Sequence, residues 1–287
     1  MVNNLPSVGF QGEKGSYSEK AVQLYFSKSN NKSYTSFSNV FYALEHNEVE
    51  FAIVPIENSI EGSVNETYDL LLNSSISVVG EINVQVNHCL ITHHNVKKDD
   101  INIVYSHNQA LGQCSNYLRK YNRDAVSTYD TAGSVKMIKE KDIKNAAAIA
   151  SKETAILYDM QIIDENIQDH KDNFTRFVCL SKKEAKPTGN DKTSIIFSAG
   201  HVSGALHKAL DEFAKRSINL TKIESHPTRK KAWEYNFYLD FEGHIDEKIC
   251  QDAIKGLEST GSTIKVLGSY PKSKDKLWIV GIIKGNR

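Results

Sequence analysis

Neither sign of charge predominates in this sequence. Lysine and arginine total 35, and aspartate and glutamate also total 35, so no net field draws the chain to nucleic acid or to a membrane surface. Cysteine is sparse and unpaired in spacing. Cys89, Cys114, Cys179 and Cys250 are scattered, and they read as buried thiols in a reducing compartment. Met1 to Pro6 has neither a basic segment nor an apolar stretch, so no secretory leader is expected. Long apolar runs are missing as well: Trp278 to Ile283, near the end, is too short to span a bilayer. A soluble cytoplasmic protein is the expectation. The remainder is ordinary for a globular chain, 40% hydrophobic and 24% charged, and 287 residues suffice for two domains.

What the chain does have is one pattern repeated through residue 180: a short apolar run, a polar turn, an amphipathic helix. Three such units come first, with strands expected at 8–10, 33–37 and 51–54. Their turns are Gln11-Gly12-Glu13-Lys14-Gly15-Ser16, then Ser38, then Pro55-Ile56-Glu57-Asn58-Ser59-Ile60-Glu61-Gly62-Ser63. Ser16 and Glu19 have capping-box spacing. After a bridging segment at 75–92, three more units follow, with strands expected at 103–105, 125–129 and 146–150. Their turns carry Ser106-His107-Asn108-Gln109, Asp130-Thr131 and Ser151-Lys152.

Alternating strands and helices imply parallel sheets with right-handed crossovers. Two sets of three units imply two similar lobes, the first about 1–80 and 159–182, the second about 81–158. Ligands bind beyond the carboxyl ends of such strands, where all six polar turns fall, so the turns are expected around one interlobe cleft. The charged stretch 183–191 reads as a linker. From 192 to 287 the order becomes βαββαβ, with strands at 194–198, 220–224, 235–241 and 263–267 and helices at 204–216 and 246–259. That order is the ferredoxin-like unit.

The run Asn173-Phe174-Thr175-Arg176-Phe177-Val178-Cys179-Leu180 is the most informative about chemistry. Phe177 to Leu180 read as the start of a buried strand. Thr175 and Arg176 stand at its entrance between two phenylalanines, where a hydrogen bond or a charge contact is stronger than in water. Taken alone, the pair reads as a strand cap and a surface ion pair. Glu57-Asn58-Ser59 and Ser106-His107-Asn108-Gln109 follow buried strands directly, so they present side chains toward a cleft. Asn58, Ser59 and Ser106 are each also good helix-capping types. Asp169-His170-Lys171-Asp172 reads as a solvated charge run, not a metal site. His88, His93 and His94 lack zinc spacing and read as structural or exposed. Gly12 to Gly15 has the composition of an anion-binding nest, but it is neither a P-loop nor a dinucleotide fingerprint.

In their order these motifs resemble the prephenate dehydratase family over nearly the whole chain. The matching stretches are Gly9-Phe10-Gln11-Gly12 with Gly15-Ser16-Tyr17-Ser18, and Val54-Pro55-Ile56-Glu57-Asn58-Ser59 with Gly62-Ser63-Val64. Tyr105-Ser106-His107 with Gln109-Ala110-Leu111 and Gln113-Cys114 match too, as do Asp130-Thr131-Ala132 and Asn173-Phe174-Thr175-Arg176-Phe177. Thr175-Arg176-Phe177 is the family's signature. The implied fold is a two-lobed α/β catalytic domain at 1–182, periplasmic-binding-protein-like with an interlobe cleft, followed by an α+β ferredoxin-like ACT regulatory domain.

The implied reaction turns prephenate into phenylpyruvate, carbon dioxide and water, with no metal and no organic cofactor. By this resemblance Thr175 is the hydrogen-bond donor to the leaving hydroxyl, and Arg176 pairs with a substrate carboxylate or braces the lobes. Glu57 joins the catalytic set. Asn58, Ser106 and Gln113 orient substrate oxygens. Ser59, Phe174, Phe177, Asp130 and Thr131 contact the substrate, with Phe174 or Phe177 as an apolar wall. Gly204-Ala205-Leu206 and Glu224-Ser225-His226-Pro227 are the implied site for L-phenylalanine as feedback effector, in a homodimer or homotetramer. The chain departs from the family at three positions in or just before these motifs. His226 stands where arginine is usual, and His201 and Ser203 stand where asparagine and proline are usual. Residues 272–287 extend past the usual end of the domain. Two other readings stay open: arogenate dehydratase, the same chemistry on the aminated substrate, and a non-catalytic two-lobed sensor in which Thr175 and Arg176 grip a carboxylate.

Overall fold

The computed structural model describes residues 5–200, 202–228 and 234–273. His201, the apolar run 278–283 and the tail from 274 lie outside them. In chain order the elements are β1 (Ser7–Gln11), α1 (Tyr17–Tyr25), β2 (Asn30–Tyr34), α2 (Phe37–Glu45), β3 (Phe51–Asn58), β4 (Gly62–Ser63) and α3 (Asn65–Asn73). Next come β5 (Ser77–Gln85), β6 (Cys89–Thr92), β7 (Ile103–His107), α4 (Asn108–Gln113), α5 (Ser115–Lys120), β8 (Asp124–Thr128), α6 (Thr131–Glu140), β9 (Ala146–Ala150) and α7 (Lys152–Leu157). Last are β10 (Gln161–Glu165), β11 (Phe174–Ser181), β12 (Asp191–Ser198), α8 (Ala205–Ala214), β13 (Leu220–Pro227), β14 (Tyr235–Glu242), α9 (Lys248–Ser259) and β15 (Ile264–Pro271). Contacts divide the chain into two compact units, one to Thr67 with Ile82–Phe177, the other Tyr68–Glu81 with the chain from Val178.

Two sheets build the α/β part. The first runs β2-β1-β3-β11-β5, with β4 folded back on β3, and the second runs β10-β6-β9-β7-β8. β1 is parallel to β2 and β3, and β7 is parallel to β8 and β9. The expectation of all-parallel sheets is corrected in the second, where β6 is antiparallel to both β9 and β10. Only β6 runs against the direction of the three β–α units; β10, antiparallel to β6, runs with them. β9 reads Ala-Ala-Ala-Ile-Ala and is fully buried. Ala147 and Ile149 enter the core of one face, and Ala146, Ala148 and Ala150 that of the other, as in a sheet covered by helices on both sides.

The caps are mostly those that the turns announce. Ser16 accepts from the Glu19 amide, but Glu19 Oε2 reaches back to the Gly15 amide at 2.7 Å, one residue short of a reciprocal box. Asp130 caps α6 through the Gly133 amide at 2.8 Å, and Ser151 caps α7. For α4 the cap is His107, whose ring accepts from the Gln109 amide, and not Ser106.

In the other unit the strand order is β13-β14-β12-β15, with antiparallel neighbours throughout. This is the ferredoxin-like arrangement, with α8 and α9 contributing Phe213 and Leu257 to a core shared with Ile195, Phe197, Leu239 and Phe241. Residues 68–81 group here. Tyr68 stacks on Tyr238 with centroids 3.9 Å apart, and Glu81 pairs with Lys192 at 2.6 Å. β15 comes so close to this segment that a Cβ on Gly268 would sit 2.1 Å from the Val78 carbonyl oxygen. Among the described residues no helix is long and apolar enough to cross a membrane.

Candidate active site

Two short segments carry the chain between the sheets of the first unit, and they lie side by side. The Val86 amide donates to the Asn173 carbonyl at 2.8 Å, and the Ile167 amide donates to the His88 carbonyl at 3.0 Å. Gln168 ties them again, accepting from the His88 amide at 2.9 Å and donating to Asn87 Oδ1 at 3.1 Å. Above this crossing lies a cavity of about 390 Å³, within the range of small-molecule sites. Four of the six turns contribute to its wall, among them Ser16, Asn58, Gln109 and Asp130, and Phe37 joins them from the start of α2. The sixth approaches through α7: Ser151 and Thr154 donate from their hydroxyls to the Gly15 carbonyl at 3.0 and 2.8 Å. Gly15 has a φ of +86° and would place a Cβ 3.1 Å from the Thr154 hydroxyl oxygen, so glycine is required there.

Beside the cavity the side chains form one directed chain of hydrogen bonds. Asn58 Oδ1 accepts from the amides of Ile60 and Glu61, both at 3.0 Å. Backbone amides can only donate, so the orientation of the Asn58 amide is fixed. Its Nδ2 therefore donates, to Asn173 Oδ1 at 2.7 Å and to Thr175 Oγ1 at 3.0 Å. Asn173 Nδ2 then donates to Gln113 Oε1 at 2.9 Å, and His88 Nε2 lies 3.0 Å from that same oxygen. Asn173 is fully buried, and Asn58 is 6% exposed. Burial holds the His88 imidazole below its usual pKa, with the Gln113 bond opposing. Burial also raises the Asp130 carboxyl above the usual carboxylate range, against the bond from the Gly133 amide.

Strand alternation sorts the signature residues of β11. Thr175 and Phe177 line the cavity. Arg176, 5% exposed, turns to Glu57, with Nε 3.4 Å from Oε2, and neither is among the lining residues. Phe174 is also outside the lining. Gln113, Asp130 and Thr131 belong to it. Ser106 does not: it is fully buried, and its hydroxyl donates to the Ile149 carbonyl at 2.6 Å. Ser59 is spent on the crossing, donating to the Asp172 carbonyl and accepting from the Phe174 amide at 2.9 Å. Asp169 holds the start of α5, accepting from Ser115 and from the Asn116 amide. Two participants escaped the sequence reading as site residues. In sequence His88 has only the marks of a structural or exposed residue, and Asn173 stands only as part of a motif. The signal for both is their place on the crossing segments, which becomes visible only once β5 and β6 are recognised.

In the second unit, Gly204, Ala205 and Leu206 line a cavity of about 800 Å³. Gly204 has φ +78° at the start of α8. Glu224, Ser225, His226 and Pro227 lie on β13, outside that lining. Glu224 pairs with Lys222 at 3.0 Å, and His226 stacks on Tyr238.

The sequence profile of the prephenate dehydratase family matches residues 8–185. A prephenate dehydratase from Methanocaldococcus jannaschii is 42% identical over 267 residues, covering 90% of this chain and 95% of its own. The chloroplastic arogenate dehydratase/prephenate dehydratase 2 of Arabidopsis thaliana is 42% identical over 275 residues, covering 92% of this chain and 72% of its own. The crystal structure of the prephenate dehydratase of Arthrobacter aurescens in complex with L-Phe superposes with a TM-score of 0.83 at 30% identity, over 92% of this chain and 89% of that one. A match through most of the α/β part, with relatives this similar over almost the whole chain, makes this protein a hydro-lyase of the prephenate dehydratase family.

Proposed function

We propose that the cavity of the first unit binds prephenate and that Thr175 donates a hydrogen bond to its departing 4-hydroxyl. One observation carries the assignment: Asn58 Nδ2 donates to Thr175 Oγ1, so the threonine keeps its own proton for whatever fills the cavity. Accepting a bond from Asn58 also makes the hydroxyl a better donor. The prephenate dianion yields phenylpyruvate anion, carbon dioxide and hydroxide, which becomes water by taking up a proton from the buffered medium. Aromatisation drives the step, so the protein has only to ease the hydroxide away and hold the ring. No lysine or arginine is among the lining residues. Substrate carboxylates would meet neutral donors there, with Gln113 and Thr131 in reach, and Phe177 supplies an apolar wall that favours loss of carbon dioxide. Arg176 and Glu57 act as a brace behind the wall. Asn58 orients Thr175, and Ser106 and Ser59 hold the backbone around the site.

The chemistry needs no metal or organic cofactor, and EDTA should leave the rate unchanged. Incubating purified protein with prephenate should release phenylpyruvate; binding without turnover would instead favour a sensor. Arogenate is the second reading, supported by the double name of the Arabidopsis relative, and phenylalanine formed from arogenate alone would select it.

We also infer a catalytic domain at 1–182, a linker at 183–191 and an ACT domain at 192–287, in a cytoplasmic homodimer or homotetramer inhibited by L-phenylalanine. The cavity at Gly204 supports the effector site, because a left-handed glycine lets backbone and ligand approach closely. β13 is an edge strand, suited to pair with a second copy, which would bring Glu224 to Pro227 toward an effector bound between copies.

A further inference from the structure

His88 is the one member of the buried chain of hydrogen bonds that has no role so far. Its tautomer is determined at a distance. The amides of Ile60 and Glu61 fix Asn58, Asn58 fixes Asn173, and Asn173 fixes Gln113 with Oε1 toward the ring. A ring nitrogen facing that oxygen must carry hydrogen, so Nε2 is the donor and Nδ1 keeps a lone pair. The ring lines the cavity, is 2% exposed and meets Tyr17 edge-on, with centroids 5.9 Å apart. Nδ1 is buried and has no hydrogen-bond partner among the described residues. A buried acceptor with no partner is rare, and at the wall of a cavity it points to a ligand that donates.

The prephenate dianion offers one such donor. Its carboxylates and its ketone only accept, and the 4-hydroxyl carries its sole O–H. Resting on the dehydratase reading above, we infer that His88 Nδ1 accepts the proton of the 4-hydroxyl while Thr175 donates to its oxygen. The leaving group is then held from both sides, with a lone pair of its oxygen turned to Thr175. His88 keeps its charge throughout and is a positioning contact, separate from the donor that assists departure.

Glutamine and asparagine separate the two nitrogens. His88→Gln keeps an amide donor where Nε2 meets Gln113 but has no acceptor in place of Nδ1. His88→Asn can place a side-chain oxygen near the Nδ1 position but falls short of Gln113. His88→Gln should lower kcat/KM for prephenate about tenfold or more. It should leave unchanged the Kd of phenylpyruvate, which lacks the hydroxyl, and His88→Asn should recover part of the loss. Wild-type kcat/KM in His88→Gln overturns the inference. So does an equal loss of phenylpyruvate binding and prephenate turnover in both variants, which would mean that the ring only supports the wall. Thermal unfolding reports whether each variant folds. If His88→Gln does not, His88→Asn decides by the same contrast between product binding and substrate turnover. A wild-type protein that does not turn over prephenate at all would sink the dehydratase reading itself, whatever the variants do.

Discussion

Thr175 and Asn58 make a pair in which one side chain aims the other. Thr175→Ala removes the donor and should lower kcat by about 10²–10³, with KM little changed. Thr175→Ser keeps the hydroxyl and should retain more of the rate. Asn58→Asp keeps the shape but takes away the N–H that reaches Thr175 Oγ1, and its carboxylate would accept the threonine proton itself. Steady-state assays should therefore find it impaired on the scale of Thr175→Ala, and full activity in Asn58→Asp would break the link. His88 adds a pH dependence of stability. Burial lowers its pKa in the folded protein, from about 6.5 in an unfolded chain. Above that value the ring is neutral in both states and costs nothing. As pH falls below it, the unfolded chain takes a proton that the folded one resists, so stability declines down to the folded pKa. Urea melts between pH 8 and 5.5 should show this decline, and His88→Gln should flatten it. Much at this scale was legible in the motifs: Thr175, Asn58, Gln113, Asp130 and Thr131 all reach the cavity wall. Ser106 and Arg176 stand in equally specific motifs yet turn to Ile149 and Glu57, because a motif records that a residue matters and not which side of a strand it occupies.

At the scale of elements, the strands that sequence reading found were those with a compact apolar run before a capped helix. β2 was displaced because Asn30–Tyr34 is an edge strand with a mostly polar, exposed sequence, where burial leaves no pattern to read. β5 and β6 read in the sequence as one bridging segment, and nothing in it marks β10. All three run outside the β–α rhythm, and their partners are distant in sequence. The βαββαβ order, by contrast, was fully legible from alternation and helix length. Gly268 is a feature no periodicity announces. It has φ +151°, and a Cβ there would run into the Val78 backbone, which cannot swing aside as a side chain can. Gly268→Ala should cost about 1–3 kcal/mol in chemical denaturation. A variant as stable as the parent would show that β15 can shift away from Val78.

For the molecule as a whole, the grouping of 68–81 with the C-terminal unit changes what truncation can test. Removing residues from 192 onward takes away the sheet on which Tyr68 stacks and the lysine that pairs with Glu81. The shortened chain should escape L-phenylalanine but melt at lower temperature than the full chain. Inhibition of the full chain should amount to about 1–3 kcal/mol of coupling, read as a shift in prephenate kinetics on adding L-phenylalanine. Retention of inhibition after truncation would move the effector to the catalytic cavity. The crossing segments carry a consequence of another kind. His88 and Asn173 lie on the two strands of chain between the sheets, and their contacts with Gln113 are 3.0 and 2.9 Å long. A lobe movement that slides one segment past the other lengthens these contacts, and the lost alignment passes through Asn58 to Thr175. A substitution that loosens this crossing should therefore slow turnover while leaving affinity nearly intact, which steady-state kinetics would show as a fall in kcat at little changed KM.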